Sequence, residues 1–155
     1  MSFSSLIDQY AAGTDSLRQA VKGMSREQLT ARPIPGKWST LEVVAHISDF
    51  EPILAERMMR VISHERPLLL VADENLFAAT LNYQDRDMDE EMAMITATRK
   101  KMTRILKGLS PEAAKRSGVH SFKGLVSLEA VLTSCVNHIP HHLPFIEEKR
   151  KALGA

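Results

Sequence analysis

Apolar residues recur along this chain at the spacing of helices rather than strands. Phe3, Leu6, Ile7, Tyr10, Ala11, Leu17 and Val21 form one stripe and predict a helix from Phe3 to Val21, closed by Gly23 and Met24. Ser25-Arg26-Glu27-Gln28 reads as a capping box, a Ser and a Gln three residues on that satisfy each other's backbone N–H, and it opens a short helical turn. Arg32-Pro33-Ile34-Pro35-Gly36 breaks the pattern as a loop. Ser39-Thr40-Leu41-Glu42 is a second capping box and starts a long helix, Thr40 to Ser63, with Val43, Ile47, Phe50, Ile53, Leu54 and Val61 facing inward. His46 falls within that stripe. Pro52 removes one donor, but the periodicity resumes beyond it, so it bends this helix rather than ending it.

From His64 to Arg86 the chain carries a long connection with a short helix at Glu74 to Leu81. Helix connections in bundles usually take two to eight residues, so this length needs a reason. A crossover supplies one: about 20 extended residues reach roughly 65 Å, against the ~37 Å length of a 25-residue helix. The second and third long helices then lie parallel. Asp87-Met88-Asp89-Glu90 caps the third, with Lys101, Arg104 and Lys107 late, as the helix dipole favours, and Gly108 terminates it. Ser110-Pro111 begins a short turn, Gly118 to Leu125 reads as a loop, and Ser127 caps a last helix from Leu128 to Ala152. Strand signals are few. The expectation is one all-α domain over residues 1–155, a bundle of four long helices.

Composition narrows the function classes. A net charge of +1 over 155 residues argues against a nucleic-acid binder, which needs a basic surplus or stripe. The runs Arg99-Lys100-Lys101 and Lys149-Arg150-Lys151 read as solvated helix faces. The lone Cys135 excludes an internal disulfide and fits a reducing setting. The N-terminus lacks the pattern of a signal peptide, and no apolar run reaches membrane-spanning length. A cytoplasmic protein without membrane contact is expected.

The chemistry concentrates in Val136-Asn137-His138-Ile139-Pro140-His141-His142. His138 and His142, four residues apart, project from one face of a helix, together with Leu128, Val131, Cys135, Phe145 and Ile146. Two imidazoles on an apolar face are costly unless their nitrogens are satisfied, either by a shared transition-metal ion or by a hydrogen-bond network. The best-placed third ligand is His46. His141 lies nearer the helix edge, as a surface residue or a hydrogen-bonding neighbour of the pair. His64 and His120 fall in expected loops. Pro140 and Pro144 each remove an intrahelical donor but project opposite the histidines.

Two stretches carry a family resemblance. Trp38-Ser39-Thr40-Leu41-Glu42-Val43-Val44-Ala45-His46-Ile47-Ser48-Asp49 resembles the W-S-x-x-E-x-x-x-H-x-x-D segment of the DinB/YfiT-like superfamily. His138-Ile139-Pro140-His141-His142, followed by Phe145-Ile146-Glu147, is similar to that family's closing H-x-x-x-H helix. The resemblance implies a four-helix bundle of up-down-down-up topology with a long crossover between helices two and three, often dimeric. It also implies a divalent metal, nickel or zinc, held by His46, His138 and His142. Family members include enzymes using a low-molecular-weight thiol such as mycothiol or bacillithiol, and others described as metal-dependent hydrolases.

Three histidines leave a metal position open, the pattern of a catalytic site, where the ion lowers the pKa of a water or thiol. The expected function is therefore a metal-dependent thiol transferase or hydrolase acting on a small molecule. The alternative is a non-enzymatic metal- or ligand-binding bundle. Asp49, one turn beyond His46, is the candidate catalytic residue, orienting that ring through a hydrogen bond, or else a polar residue at the helix border. Glu42 serves the capping box, Trp38 closes the core or walls a pocket, and Cys135 is a small core residue. The segment Arg66 to Asp85 frames the pocket mouth. Metal loss is expected below about pH 6, where free imidazole protonates.

Overall fold

Polar side chains that take over free backbone N–H groups set the helix starts. In the computed structural model, which describes residues 2–155, Ser2 accepts from the Ser5 N–H ahead of α1 (Phe3–Val21). Ser25 with Gln28 forms the expected capping box of α2 (Arg26–Thr30), and Ser39 with Glu42 that of α3 (Thr40–Ser63). Asp73 accepts from Asn75 and Leu76 at the start of α4 (Glu74–Thr80), and Asp87 from Asp89 and Glu90 at the start of α5 (Met88–Lys107). Ser127 accepts from Ala130 at the start of α6 (Leu128–Leu153). α3 runs unbroken through Pro52, and α6 through Pro140 and Pro144. Both α6 prolines are exposed, with their rings on the solvent side of the helix.

Contacts between helices fix their directions. Arg86 binds Asp49 of α3 and Glu91 of α5, and farther along Met58 and Val61 share a cluster with Met102 and Leu106, so α3 and α5 run parallel. Asp8 pairs with Lys107 and Arg18 with Thr96, which sets α1 antiparallel to α5. At the end of α1, Arg150 of α6 donates to the carbonyls of Ala20 and Lys22, which sets α6 parallel to α1. The result is the four-helix bundle, up-down-down-up, with the crossover between α3 and α5.

The bundle holds two apolar clusters. One gathers Leu6, Tyr10, Met58, Met102, Leu106 and Leu132; the other gathers Leu17, Val43, Val44, Ile47, Ile95, Ile139 and Ile146. Between them lies a polar layer. Arg99 donates to Glu51 at 2.5 Å and to the carbonyls of Tyr10 and Cys135 at 2.9 Å, while the Tyr10 hydroxyl donates to Glu51 at 3.3 Å. The layer thus binds all four long helices at one level. Gly13 makes room for it, since a Cβ there would collide with Arg99 Nη1.

Two sequence expectations need correction. The stretch Gly118 to Leu125, read as a loop, is most of a hairpin in a three-stranded sheet. β1 (Leu68–Leu69) pairs in parallel with β2 (Ser117–His120), and β2 pairs antiparallel with β3 (Gly124–Ser127). Its glycines serve the pairing. Gly124 takes φ +73° at the turn, and a Cβ on Gly118 would meet the Leu69 side chain and the Pro67 carbonyl at 3.0 Å. His120 steadies the turn, its Nδ1 accepting from the Phe122 and Lys123 N–H groups at 3.2 and 3.3 Å.

The two basic runs are not solvated throughout. Arg99 is 1 % exposed and Lys149 3 %, while Lys100, Lys101 and Lys151 face solvent as expected. In each case the first residue of the run occupies the helix's inward stripe: Ile95, Arg99, Met102, Leu106 in α5 and His142, Ile146, Lys149 in α6.

Candidate metal centre

The N-terminal half of α3 is buried from Thr40 to Ser48, because α6, α2 and the helical turn Tyr83–Asp85 all pack on it. His46 therefore points into the bundle, 1 % exposed. The four-residue step on α6 presents His138 and His142 to the same point, with ring centroids 5.1 and 4.8 Å from His46 and 5.0 Å from each other. His46 Nε2 and His138 Nε2 are 3.1 Å apart, and one nitrogen from each of the three rings lies within 4.8 Å of the others. Aromatic rings enclose the group: Trp38 lies 5.4 Å and Phe50 4.6 Å from His46, Phe77 5.6 Å from Phe50, and Phe145 6.1 Å from His142.

Burial depresses the basicity of all three rings. Desolvation of the charged form, reinforced for His138 and His142 by the neighbouring histidines, pushes His46 down to about 4, His138 to about 3 and His142 to about 4. The imidazoles are thus neutral at neutral pH and carry the lone pairs that a metal requires. A hydrogen-bond network accounts for them poorly. Only the His46–His138 contact joins the rings, and the Nδ1 atoms of both are buried without a partner. Three neutral imidazoles converging in an apolar shell fit a divalent transition metal.

Asp49 forms no hydrogen bond with His46, although its charge favours the protonated ring. Both of its carboxylate oxygens accept from Arg86, at 3.1 and 3.3 Å, and Arg86 continues to Glu91 at 3.0 Å. Glu42 completes its capping box and also takes a two-pronged contact from Arg32, at 2.5 and 2.9 Å. Trp38 is half-buried against the cluster of Val43, Ile47 and Ile139 and lines the cavity beside the histidines. Cys135 is fully buried, its thiol pushed up by burial, and it stands outside the histidine group. His141 is exposed at the cavity edge, and His64 caps the end of α3.

Nothing in the sequence pattern singles out Glu74 as a site residue. It opens α4 in the crossover and brings Oε2 within 3.8 Å of His46 Nε2. Glu51 likewise has no role in the sequence reading, although Ile47, Glu51, Leu54, Met58 and Val61 step along α3 at inward spacing. The cavity beside the histidines has a volume of about 250 Å³ and reaches from Glu74 and His142 past Phe145 to Lys37 and Lys149.

Comparison with known proteins agrees with this geometry. Residues 9–146 match the family model of the DinB superfamily. The chain is 27% identical over 139 residues to the "Putative metal-dependent hydrolase YfiT" of Bacillus subtilis, covering 89% of this chain and 78% of that one. It is likewise 27% identical over 137 residues to the "Putative metal-dependent hydrolase OB0782" of Oceanobacillus iheyensis, covering 87% and 79%. The solved structure of YfiT, described as "a probable metal-dependent hydrolase with an unusual four-helix bundle topology", superposes with a TM-score of 0.90 at 25% identity, over 98% of this chain and 87% of that one. Sequence, topology and the grouped histidines agree: this chain belongs to the DinB superfamily.

Proposed function

We propose that this protein is a metal-dependent enzyme acting on a small molecule through a divalent ion, nickel or zinc, held by His46, His138 and His142. The convergence of three neutral imidazoles on one point, two buried and His138 half-buried, carries this reading, and the names of its relatives support it. Bound there, the ion supplies Lewis acidity, by which a water or a low-molecular-weight thiol deprotonates near neutral pH. The first route gives hydrolysis, the second thiol transfer.

The chain's own residues do the remaining work. Trp38, Phe50 and Phe145 keep water from the ring faces. Glu74 Oε2 stands where it can accept a hydrogen bond from the nucleophile. Asp49 acts at one remove, fixing Arg86 and with it the end of the crossover against α3. We also infer a homodimer, supported by the exposed apolar side chains Leu68, Leu70, Val71, Phe122 and Leu125 on and beside the small sheet.

Untagged protein analysed by plasma emission is expected to carry about one divalent ion per chain, and His46→Ala to lose it. Protein that takes up neither nickel nor zinc would overturn the reading. Metal uptake without hydrolysis or thiol adducts, across a panel of small esters, amides and thiols, would leave a metal-binding module.

A further inference from the structure

The cavity beside the histidines has a second charged end, built from Lys37 and Lys149. Lys149 lies on the His142 side of α6, seven residues on and so roughly 10 Å farther along the helix. It is buried, only 3 % exposed, yet its ammonium has a single hydrogen bond, to the Phe145 carbonyl at 2.8 Å. A buried ammonium with donors to spare is costly unless an anion meets it. The nearby carboxylates do not fill that role. Glu42 is held by Arg32, Glu74 stands at the histidine end, and Glu148 is exposed. Against the two ammonium groups only Glu148 remains, so this end of the cavity keeps a positive surplus.

We infer that the cavity takes a small molecule bearing an oxyanion, a carboxylate or a phosphate, seated on Lys149 and Lys37 with its other end at His142, where the cavity meets the histidine group. The inference rests on the proposed metal centre for where the chemistry occurs, but the anion seat needs no metal. Between the two ends the walls are Trp38, Val43 and Phe145, which suit a short apolar linker. At the ~30 Å³ that liquid water takes per molecule, 250 Å³ holds roughly eight to ten non-hydrogen atoms, the size of a short-chain acid.

The test is calorimetric titration of zinc-loaded protein with hexanoate, hexanamide, hexan-1-ol and inorganic phosphate, with zinc content measured on the same samples. Hexanoate is expected to bind about 10-fold or more tightly than the amide or the alcohol. Lys149→Met should remove that preference while zinc content stays at the wild-type level, and Lys149→Arg should restore it. Lys149→Met also removes a buried charge, so a thermal melt at or above the wild-type temperature shows that the fold survives. Lys37→Gln, on an exposed loop residue, gives an independent partial loss. Phosphate binding more tightly than hexanoate would assign the seat to phosphate. Equal affinity for acid and amide, or a preference that survives Lys149→Met because the carboxylate binds the zinc alone, would overturn the inference. Should the protein take up no zinc, the metal reading falls, and the same titration of metal-free protein still decides the anion seat.

Discussion

Burial decides the properties of the residues that matter most. The three histidines ionise in the unfolded chain near 6.5 but in the folded protein only at about 4, 3 and 4. Between those limits the unfolded chain binds more protons, so stability rises with pH there. The contribution is fully present above 6.5 and is lost as pH falls through the folded values. Metal-free protein is therefore expected to melt at a lower temperature at about pH 5 than at about pH 7.5, and His138→Leu to flatten that dependence, as differential scanning calorimetry would show. Burial of the carboxyl of Glu51, which raises its pKa, works in the opposite sense from about pH 4.5 upward, within the window of the histidines. The same burial moves proton displacement of a bound metal below the pH of about 6 expected of free imidazole. In the polar layer, Arg99→Met strands Glu51 and should cost about 3 kcal/mol in urea unfolding, with part regained in the Glu51→Gln/Arg99→Met double variant.

At the scale of elements, α6 shows how one helix carries two prolines and a site at once. Its prolines sit on the solvent side, while a four-residue step holds His138 and His142 on the other. The short α4 plays a different part. None of its residues is buried, yet it delivers Glu74 to the histidines. Glu74→Gln is accordingly expected to leave the melting temperature unchanged and to weaken zinc binding about 10-fold, measured by competition with a chromogenic chelator, because it removes a negative charge beside a dication. An unchanged zinc affinity would show that this carboxylate stays out of the site. The capping boxes and the ends of α1 and α3 were legible because they depend on residues within one turn of each other. The hairpin was not, since strands of two to four residues are too short to show a period, and β1 meets β2 only through the fold.

Over the whole molecule, the crossover and the sheet set the outer surface. A groove of about 590 Å³ runs along α3 from Pro52 to Arg60, walled by Leu68, Leu70 and Val71, and none of the three histidines lines it. With Phe122 82 % and Leu125 66 % exposed nearby in sequence to the hairpin turn, this end carries much of the large apolar exposure among the described residues. Sedimentation at micromolar concentration is expected to show a dimer that Phe122→Asp with Leu125→Asp converts to monomer. A wild type that sediments as a monomer would remove the dimer from the reading. The described residues include no helix long and apolar enough to cross a membrane.

Local sequence determined the helices, their caps, the need for a crossover and the pairing of His138 with His142 on one face, because each depends on spacing within a few turns. Tertiary structure alone decided that His46 meets that pair across 92 residues, that Glu74 joins them from the crossover, and that Arg99 and Lys149 turn inward from basic runs. A charge run reads the same from sequence whether its first residue faces water or the core. Only the packing of a second helix against that face takes away the solvent, and with the solvent goes the ordinary behaviour of the side chain.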